Sequence, residues 1–302
     1  MEFDSSLAGA GPISKRVETI TLSASHYQDK ALRSLGKLPP FSPILNKLMG
    51  TLADEDVSFG ELADLIEKDT VLAGNVLRMV NSALYGRRGT INSVRHAVSL
   101  IGLSKLRNVT MSLSLARMWS SQTAVKGWFP APFNQHSVAC AILADLLATE
   151  MPVDYPEGAF TAGLLGNIGM MLIALSLPEE RNMIQENYTT TSASLTDCER
   201  TVLQLTHAEL SAEGLRHWNL PAPIQTAVLH HHGPHPDSEG GIAMSFVLEQ
   251  ADRIVQQHGI VVQPWLRPAE GVPAETLSPL GVSNRILESF QTEFESIRAL
   301  FG

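Results

Sequence analysis

A run of histidines near residue 230 has the residue types of a metal site. His230, His231 and His232 are consecutive, and His235 follows after Gly233-Pro234. Imidazole nitrogens bind zinc and other first-row metal ions. However, consecutive residues of a helix point in different directions, and Gly-Pro ends the helix before His235. We therefore expect a structural or surface role for these histidines, with adventitious metal binding as one alternative.

A second group of residues could recognise phosphate or carboxylate. It lies where an amphipathic helix is expected to end in an exposed turn, and consists of Arg78, Asn81, Ser82, Tyr85, Arg87 and Arg88. Arginine suits bidentate binding of phosphate and carboxylate groups, so this is a candidate interaction surface for a protein or a nucleotide. The alternative is local, because Asn and Ser side chains also bind free carbonyls at helix ends.

Composition and motif content exclude several other classes. The chain has 302 residues and a formal net charge of −9, which argues against general nucleic-acid binding. Cys140 and Cys198 form no CxxC pair, so neither a disulfide framework nor a zinc knuckle is expected, and a reducing compartment is indicated. No Gly-rich phosphate loop, GxSxG elbow or Cys-His nucleophile arrangement is apparent.

The expected location is the cytoplasm. Glu2 and Asp4 and the lack of an apolar core segment argue against a secretory signal at the N-terminus. Residues 159–177 are uncharged and nearly long enough to span a bilayer, but they include Thr161, Asn167 and several glycines. We expect a buried core helix there and no membrane association.

The elements that must position these residues are expected to be helices nearly throughout, because no alternating polar and apolar run is long enough for a sheet. Asp69, Ser93 and Thr206 are predicted N-caps, and Ser58 with Glu61 reads as a capping box. Residues 120–132 are a predicted linker. Later helices are predicted at about 133–150, 157–176, 178–188, 194–205, 207–218, 221–231, 241–258 and 283–300. The last helix has an apolar side that we expect to be buried within the chain, with partner binding or self-association as the alternative.

Several separated motifs occur together in order. They are Leu38-Pro39-Pro40; Arg78 to Gly86; Ile91, Ser93, Val94, Ala97 and Val98; Leu100-Ile101-Gly102-Leu103; and Leu106-Arg107-Asn108. This succession resembles the HDOD family, the HD-related output domains of bacterial signalling, over about residues 35–232. The resemblance implies an all-α fold, with a helical bundle at 35–120 and an HD-phosphohydrolase-like subdomain at 133–258. Residues 1–34 are then a tail and lead helix, and 259–302 a C-terminal loop and helix.

In the HD phosphohydrolase fold a His, an adjacent His-Asp pair and a distal Asp hold divalent metal. The resemblance places the first ligand at His136, the pair at Gly166-Asn167 and the distal carboxylate at Asp252. Gly166 has no side chain, and Asn167 offers only a neutral amide oxygen. We therefore expect a vestigial pocket with neither metal nor cofactor, and no enzyme activity.

The remaining side chains have structural interpretations as well. His136 is expected to be a satisfied core histidine, and Asp252 a partner of a helix end or of Arg253. His207 and the run from His230 to His232 occupy positions where the family commonly has histidine. They are expected to be structural, with a residual ligand pocket as the alternative.

The predicted function is that of a non-catalytic regulatory module which binds a signalling protein. The alternatives are a divergent metal-dependent phosphohydrolase, in which His230 to His232 compensate for the lost pair, and a nucleotide sensor that binds without hydrolysis. A small-molecule or nucleotide ligand and a homodimer remain possible partners.

Overall fold

The protein is built from α-helices. The structure, a computed structural model, describes residues 26–27, 29–36, 42–50, 59–81, 90–121, 125–238, 241–268 and 284–301. The helices are α1 Pro43–Gly50, α2 Phe59–Lys68, α3 Thr70–Val80, α4 Val94–Ile101, α5 Leu103–Ser120, α6 Pro130–Glu150, α7 Ala159–Leu165, α8 Ile168–Ser176, α9 Pro178–Thr190, α10 Leu195–Leu203, α11 His207–His217, α12 Ala222–Leu229, α13 Met244–Gln257 and α14 Asn284–Ile297. The described residues contain no β-strand. Among them, one isolated parallel bridge joins Val153 and Ile242. The all-α prediction is confirmed.

Side-chain caps define where several helices begin. Asp69 accepts hydrogen bonds from the backbone N–H groups of Val71 and Leu72, at 3.1 and 3.0 Å, and so begins α3. Ser93 begins α4 in the same way. Thr206 and Glu209 form a reciprocal capping box at α11. These three caps were predicted from sequence, whereas the predicted box at Ser58 lies outside the described residues.

Several predicted helix boundaries differ from the structure, among them those of α6, α7 and α8. Helix α6 begins at Pro130 rather than near residue 133, because Pro is accommodated in the first turn, where its missing N–H is not needed. The helix predicted over 157–176 is two helices. Asn167 leaves the α-helical region, with φ −101° and ψ 11°, and α8 begins at the next residue.

Helix α6 is central to the packing. It contacts α7, α13 and α14, and α5 precedes it across the 121–129 connection. At that junction the rings of Trp119 and Trp128 pack on Phe133, with centroids 5.1 and 5.0 Å apart. One cluster of buried hydrophobic side chains extends from α1 to Phe301. The predicted division at residues 34 and 258 stays a prediction.

The last helix is buried against this core, as expected. Ile286, Phe290, Phe294 and Ile297 of α14 are buried. Glu293 on the same helix accepts a hydrogen bond from Lys105 of α5 at 2.8 Å. The apolar side of α14 is therefore covered by its own chain.

The long apolar segment is also internal. Among the described residues, Pro156–Ser176 is the stretch long and apolar enough to cross a membrane, and 94% of its apolar window is buried inside the protein. This agrees with the expectation of a core segment.

Candidate ligand site

His136 and Asp252 face each other in the core, where α6 packs on α13. The Nε2 atom of His136 lies 2.8 Å from Oδ1 of Asp252, and its Nδ1 lies 2.7 Å from the carbonyl oxygen of Ile260. The second carboxylate oxygen accepts a hydrogen bond from Gln256 at 2.7 Å. Both imidazole nitrogens and both carboxylate oxygens therefore already have partners.

The pair has the electrostatics of a buried ion pair. Burial disfavours a charged His136, but Cys140 and Asp252 outweigh it and raise its pKa well above the usual value. Burial alone would raise the pKa of Asp252, yet the bond from His136 lowers it strongly. A carbonyl on one nitrogen and a carboxylate on the other suit an imidazolium that donates from both. Such a ring has no lone pair for a metal.

Cys140 lies one turn after His136 on α6 and joins this pair. Its Sγ is 3.3 Å from Nε2 of His136. Burial raises the pKa of Cys140. Since the thiolate is the nucleophile and the metal ligand, this thiol is suited to neither task in the folded protein.

Gly166-Asn167 lies at the break between α7 and α8. Gly166 has helical dihedral angles, φ −54° and ψ −38°, and a Cβ there would lie 3.3 Å from the Ala162 carbonyl oxygen. This contact is tight, so a Cβ at this position requires the neighbouring backbone to shift by a few tenths of an ångström. Asn167 and Asp252 line one cavity of about 510 Å³.

Metal at the position implied by the resemblance does not fit these residues. Gly166 supplies no ligand atom, Asn167 supplies one weak one, and His136 has both nitrogens engaged. Divalent ions are held by several carboxylate, imidazole or water ligands. The expectation of a vestigial pocket stays a prediction.

A second cluster lies beside the same cavity. Ring nitrogens of His207, His231 and His232 lie within 4.8 Å of one another, and the Nε2 atoms of His207 and His232 are 3.0 Å apart. Glu199 of α10 bonds Nδ1 of His207 through both oxygens, at 2.8 and 2.9 Å. Its Oε2 also accepts the backbone N–H of His207 at 2.9 Å.

The three rings differ in charge preference. Burial opposes protonation of His207, but Glu199 outweighs it and raises its pKa. Burial, followed by the nearby His207, lowers the pKa of His231 to about 4. Burial of the His232 ring nitrogens, together with His231 and His207, lowers the pKa of His232 well below the usual value, although the residue as a whole is exposed. At neutral pH His231 and His232 are therefore neutral.

Gly169 holds this cluster against α8. Its N–H donates to Ser211 Oγ at 2.8 Å, and a Cβ at this position would lie 2.0 Å from the carbonyl oxygen of His207. Only glycine permits this approach of α8 to the start of α11.

The remaining predicted site residues do not join either of these two clusters. His230 at the end of α12 is not part of the histidine cluster. Arg78 is exposed on α3, while the side chain of Asn81 bonds the carbonyl of Leu77 and both backbone groups of Ile91. The prediction that Asp252 pairs with a helix end or with Arg253 is wrong, because His136 is its charged partner. Ser82, Tyr85, Arg87 and Arg88 lie outside the described residues.

Comparison with known proteins decides the family. The model of the HDOD domain matches residues 38–234, which contain the motifs named above. The chain belongs to the HDOD family. The match ends just after His232. His136, Gly166-Asn167, His207 and His230 to His232 therefore lie within the HDOD region, whereas Asp252 lies beyond it.

Individual relatives of this HDOD chain are distant. A protein of Treponema pallidum (strain Nichols), described as uncharacterized, is 25% identical over 213 residues, which are 67% of this chain and 39% of that protein. The chain thus spans well under half of that relative. The structure of an HDOD domain protein of unknown function from Geobacter sulfurreducens has a TM-score of 0.74 at 23% identity, covering 94% and 98% of the two chains. A proposed phosphohydrolase from Shewanella amazonensis SB2B has a TM-score of 0.68 at 19% identity, covering 90% and 98%. These likenesses show the fold.

Sequence reasoning missed Glu199 and Cys140. Glu199 lies at helical spacing between Leu195 and Leu203, so an acidic residue on an apolar helix side was the available signal. Cys140 lies four residues after His136, a spacing that places both on one side of a helix.

Proposed function

We propose that this HDOD chain is a non-catalytic regulatory module of bacterial signal transduction that acts by binding another protein. The observation that carries the proposal is the His136–Asp252 pair, in which the two residues retained from the metal site bind each other at 2.8 Å. Together with Gly166-Asn167, this leaves the family's metal position with few free donor atoms. Water activation and phosphoryl polarisation by a metal would have no support there.

The exposed side of α3 supports a binding role. Val71 is 56% exposed, and Arg78, seven residues later, lies on the same helix side. Val71, Asn75 and Arg117 border a groove of about 680 Å³. An exposed apolar residue beside arginine is a composition found at protein interfaces. This surface includes Arg78, a member of the interaction surface predicted from the sequence.

Turnover assays test the absence of catalysis. Tag-free protein is incubated with Mn²⁺, Fe²⁺ or Mg²⁺ and with bis-p-nitrophenyl phosphate or cyclic dinucleotides. The expected rate equals that of the metal alone, for wild type and for Asp252→Asn. Turnover by wild type that disappears in Asp252→Asn would overturn the proposal.

Capture of partners from the native bacterium tests the surface. Arg78→Glu is the test variant, and Arg285→Glu on α14 is the matched control, because Arg285 is 84% exposed on another helix. We expect a specific partner to be recovered by wild type and by the control but not by Arg78→Glu. Equal recovery by all three would exclude this surface.

A nucleotide sensor is the second candidate, and the cavity of about 510 Å³ favours it. Its volume is in the range of small-ligand sites, and Arg253 at its wall could bind phosphate. Arg267 contributes less, since it already donates to Thr191 and Ala193. Calorimetry with cyclic dinucleotides and guanine nucleotides tests this, and no heat at high micromolar ligand would count against it.

A further inference from the structure

We propose that the groove of about 680 Å³ takes a tyrosine or tryptophan side chain from a segment of the partner protein, and that an acidic residue of the same segment pairs with Arg78. This inference rests on the proposed function, because it names the chemistry of the partner that the exposed side of α3 would bind. It requires neither the cavity of about 510 Å³ nor the buried histidines beside it.

The walls of the groove come from four parts of the chain and are largely apolar. They include Leu45 of α1, Leu72 of α3, Leu113 of α5 and Phe301, which follows α14. Val71, which is 56% exposed, also lines it. A concave apolar site of this size can enclose a large side chain, and aromatic anchors in such sites supply much of the binding energy at protein interfaces.

One polar side chain of the groove lacks a hydrogen-bond donor. Asn134 lines the groove and is 2% exposed. Its Nδ2 donates to Ser120 Oγ at 3.0 Å and faces the Ala116 carbonyl oxygen at 3.5 Å, which sets the direction of the amide. Its Oδ1 is buried and has no partner among the described residues. Buried polar atoms in native proteins nearly always have a partner, so this oxygen calls for a donor.

A side chain with an apolar body and a donor at its end matches both features. Tyrosine O–H and tryptophan N–H combine the two. Phenylalanine and leucine would fill the apolar walls but leave Oδ1 of Asn134 unpaired, and lysine or arginine would bring a charge into an apolar site. The groove should therefore prefer Tyr or Trp over Phe.

Arg78 lies on the same side of α3 as the groove. Val71, Asn75 and Arg78 are spaced by four and three residues, which places them in one row along the helix. Arg78 is exposed and has no hydrogen-bond or ion-pair partner among the described residues. Arg117 at the groove differs, since it already donates to Asp69 at 3.0 Å. Arg78 is therefore available to a carboxylate of the partner.

The distance along α3 sets the spacing within the partner's segment. Val71 and Arg78 are seven residues apart on one helix, which is about 10 Å at roughly 1.5 Å per residue. An extended segment covers this distance in about three residues, and a helical one in about seven. The expected segment thus carries Asp or Glu about three or seven residues from its Tyr or Trp.

A second copy of this chain is a poorer occupant of the groove. Its formal net charge is −9, so two copies repel each other. The part of the chain that the structure describes also includes no exposed Tyr or Trp. A different protein therefore fits the groove better.

The test selects random dodecapeptides, displayed on phage, against the full-length wild-type protein, with counter-selection on Ser114→Trp. Ser114 lines the groove and is half-buried, so tryptophan there fills it. The selected peptides should contain Tyr or Trp with Asp or Glu at the expected spacing. Selection that gives no such enrichment would overturn the proposal. Fluorescence polarisation then measures the Kd of the enriched peptides.

Three changes should weaken this binding. Ser114→Trp should raise the Kd about tenfold or more, and Arg78→Glu about three- to tenfold. Phe in place of the Tyr or Trp of the peptide should raise it about three- to tenfold, because the donor to Asn134 is lost. Equal Kd values for the Phe peptide, or full affinity in Ser114→Trp, would contradict the proposal.

Gln291→Trp is the matched control, because Gln291 is exposed on α14 and does not line the groove. It should bind the peptides like wild type. Circular dichroism checks the folding of each variant, and Asn75→Trp, also in the groove, replaces Ser114→Trp if that variant is misfolded. Sedimentation of wild type tests for a second copy, and a dimer that Ser114→Trp abolishes would overturn the proposal.

Failure of this inference can be told from failure of the proposed function. Recovery of a native partner that depends on Arg78, together with full peptide affinity in Ser114→Trp, would leave the proposed function standing and remove this inference. Absence of any native partner that depends on Arg78 would remove both.

Discussion

His136 on α6 and Asp252 on α13 form a buried pair 116 residues apart in sequence, with 2.8 Å between Nε2 and Oδ1. In a metal-binding relative each would offer a lone pair to an ion. Here each neutralises the other, and Ile260 and Gln256 occupy the remaining polar atoms. The pair therefore connects two helices of the core, and its loss should lower the free energy of unfolding.

Asp252→Asn should lower the free energy of unfolding by about 3–5 kcal/mol, because it leaves the buried His136 without its counter-charge. Urea denaturation measures this. The double variant His136→Gln with Asp252→Asn should cost less than the two single changes summed. Asp237→Asn, on an exposed residue, should change stability by no more than about 0.5 kcal/mol. Additive single effects would show that the two residues are not coupled.

Two glycines three residues apart should differ in their response to alanine. Gly166 has helical dihedral angles, and its Cβ would make one tight contact of 3.3 Å with the Ala162 carbonyl oxygen, so Gly166→Ala should change the free energy of unfolding by no more than about 1 kcal/mol. Gly169→Ala should destabilise by about 1–3 kcal/mol or more, since its Cβ would overlap the His207 carbonyl. Thermal and urea denaturation of both variants decide this. Similar stabilities would contradict the close approach of α8 and α11.

Local patterns in the sequence were sufficient for much of the fold. Asp69, Ser93 and the Thr206–Glu209 box act on neighbours two or three residues away, so their types alone predict helix starts. The Asp252–His136 bond and the Glu199–His207 bond depend on which helices pack together, and single-residue patterns do not encode this. The break at Asn167 was missed because the apolar run around it continues without a Pro, and the Asn167 side chain makes no capping bond.

Asn81→Ala should destabilise the N-terminal bundle by about 1–3 kcal/mol. The side chain of Asn81 bonds the carbonyls of Leu77 and Ile91 and the N–H of Ile91, and alanine removes the bonds to both backbone groups of Ile91. Arg78→Ala on the exposed side of α3 should change stability by less than about 0.5 kcal/mol. Urea midpoints compare the two. An unchanged midpoint in Asn81→Ala would indicate that water replaces these bonds, and would restore Asn81 as a test position for partner binding.

Arg181 should be needed to hold the 125–129 connection in place. Its guanidinium donates to the carbonyls of Gly127 and Lys126, at 2.6 and 2.7 Å, and it is 8% exposed. Arg181→Lys keeps the charge but cannot reproduce two directed bonds, so a loss of about 1–3 kcal/mol is expected. Hydrogen exchange at residues 125–129 should also accelerate. Wild-type exchange rates in this variant would show that the connection is held by other contacts.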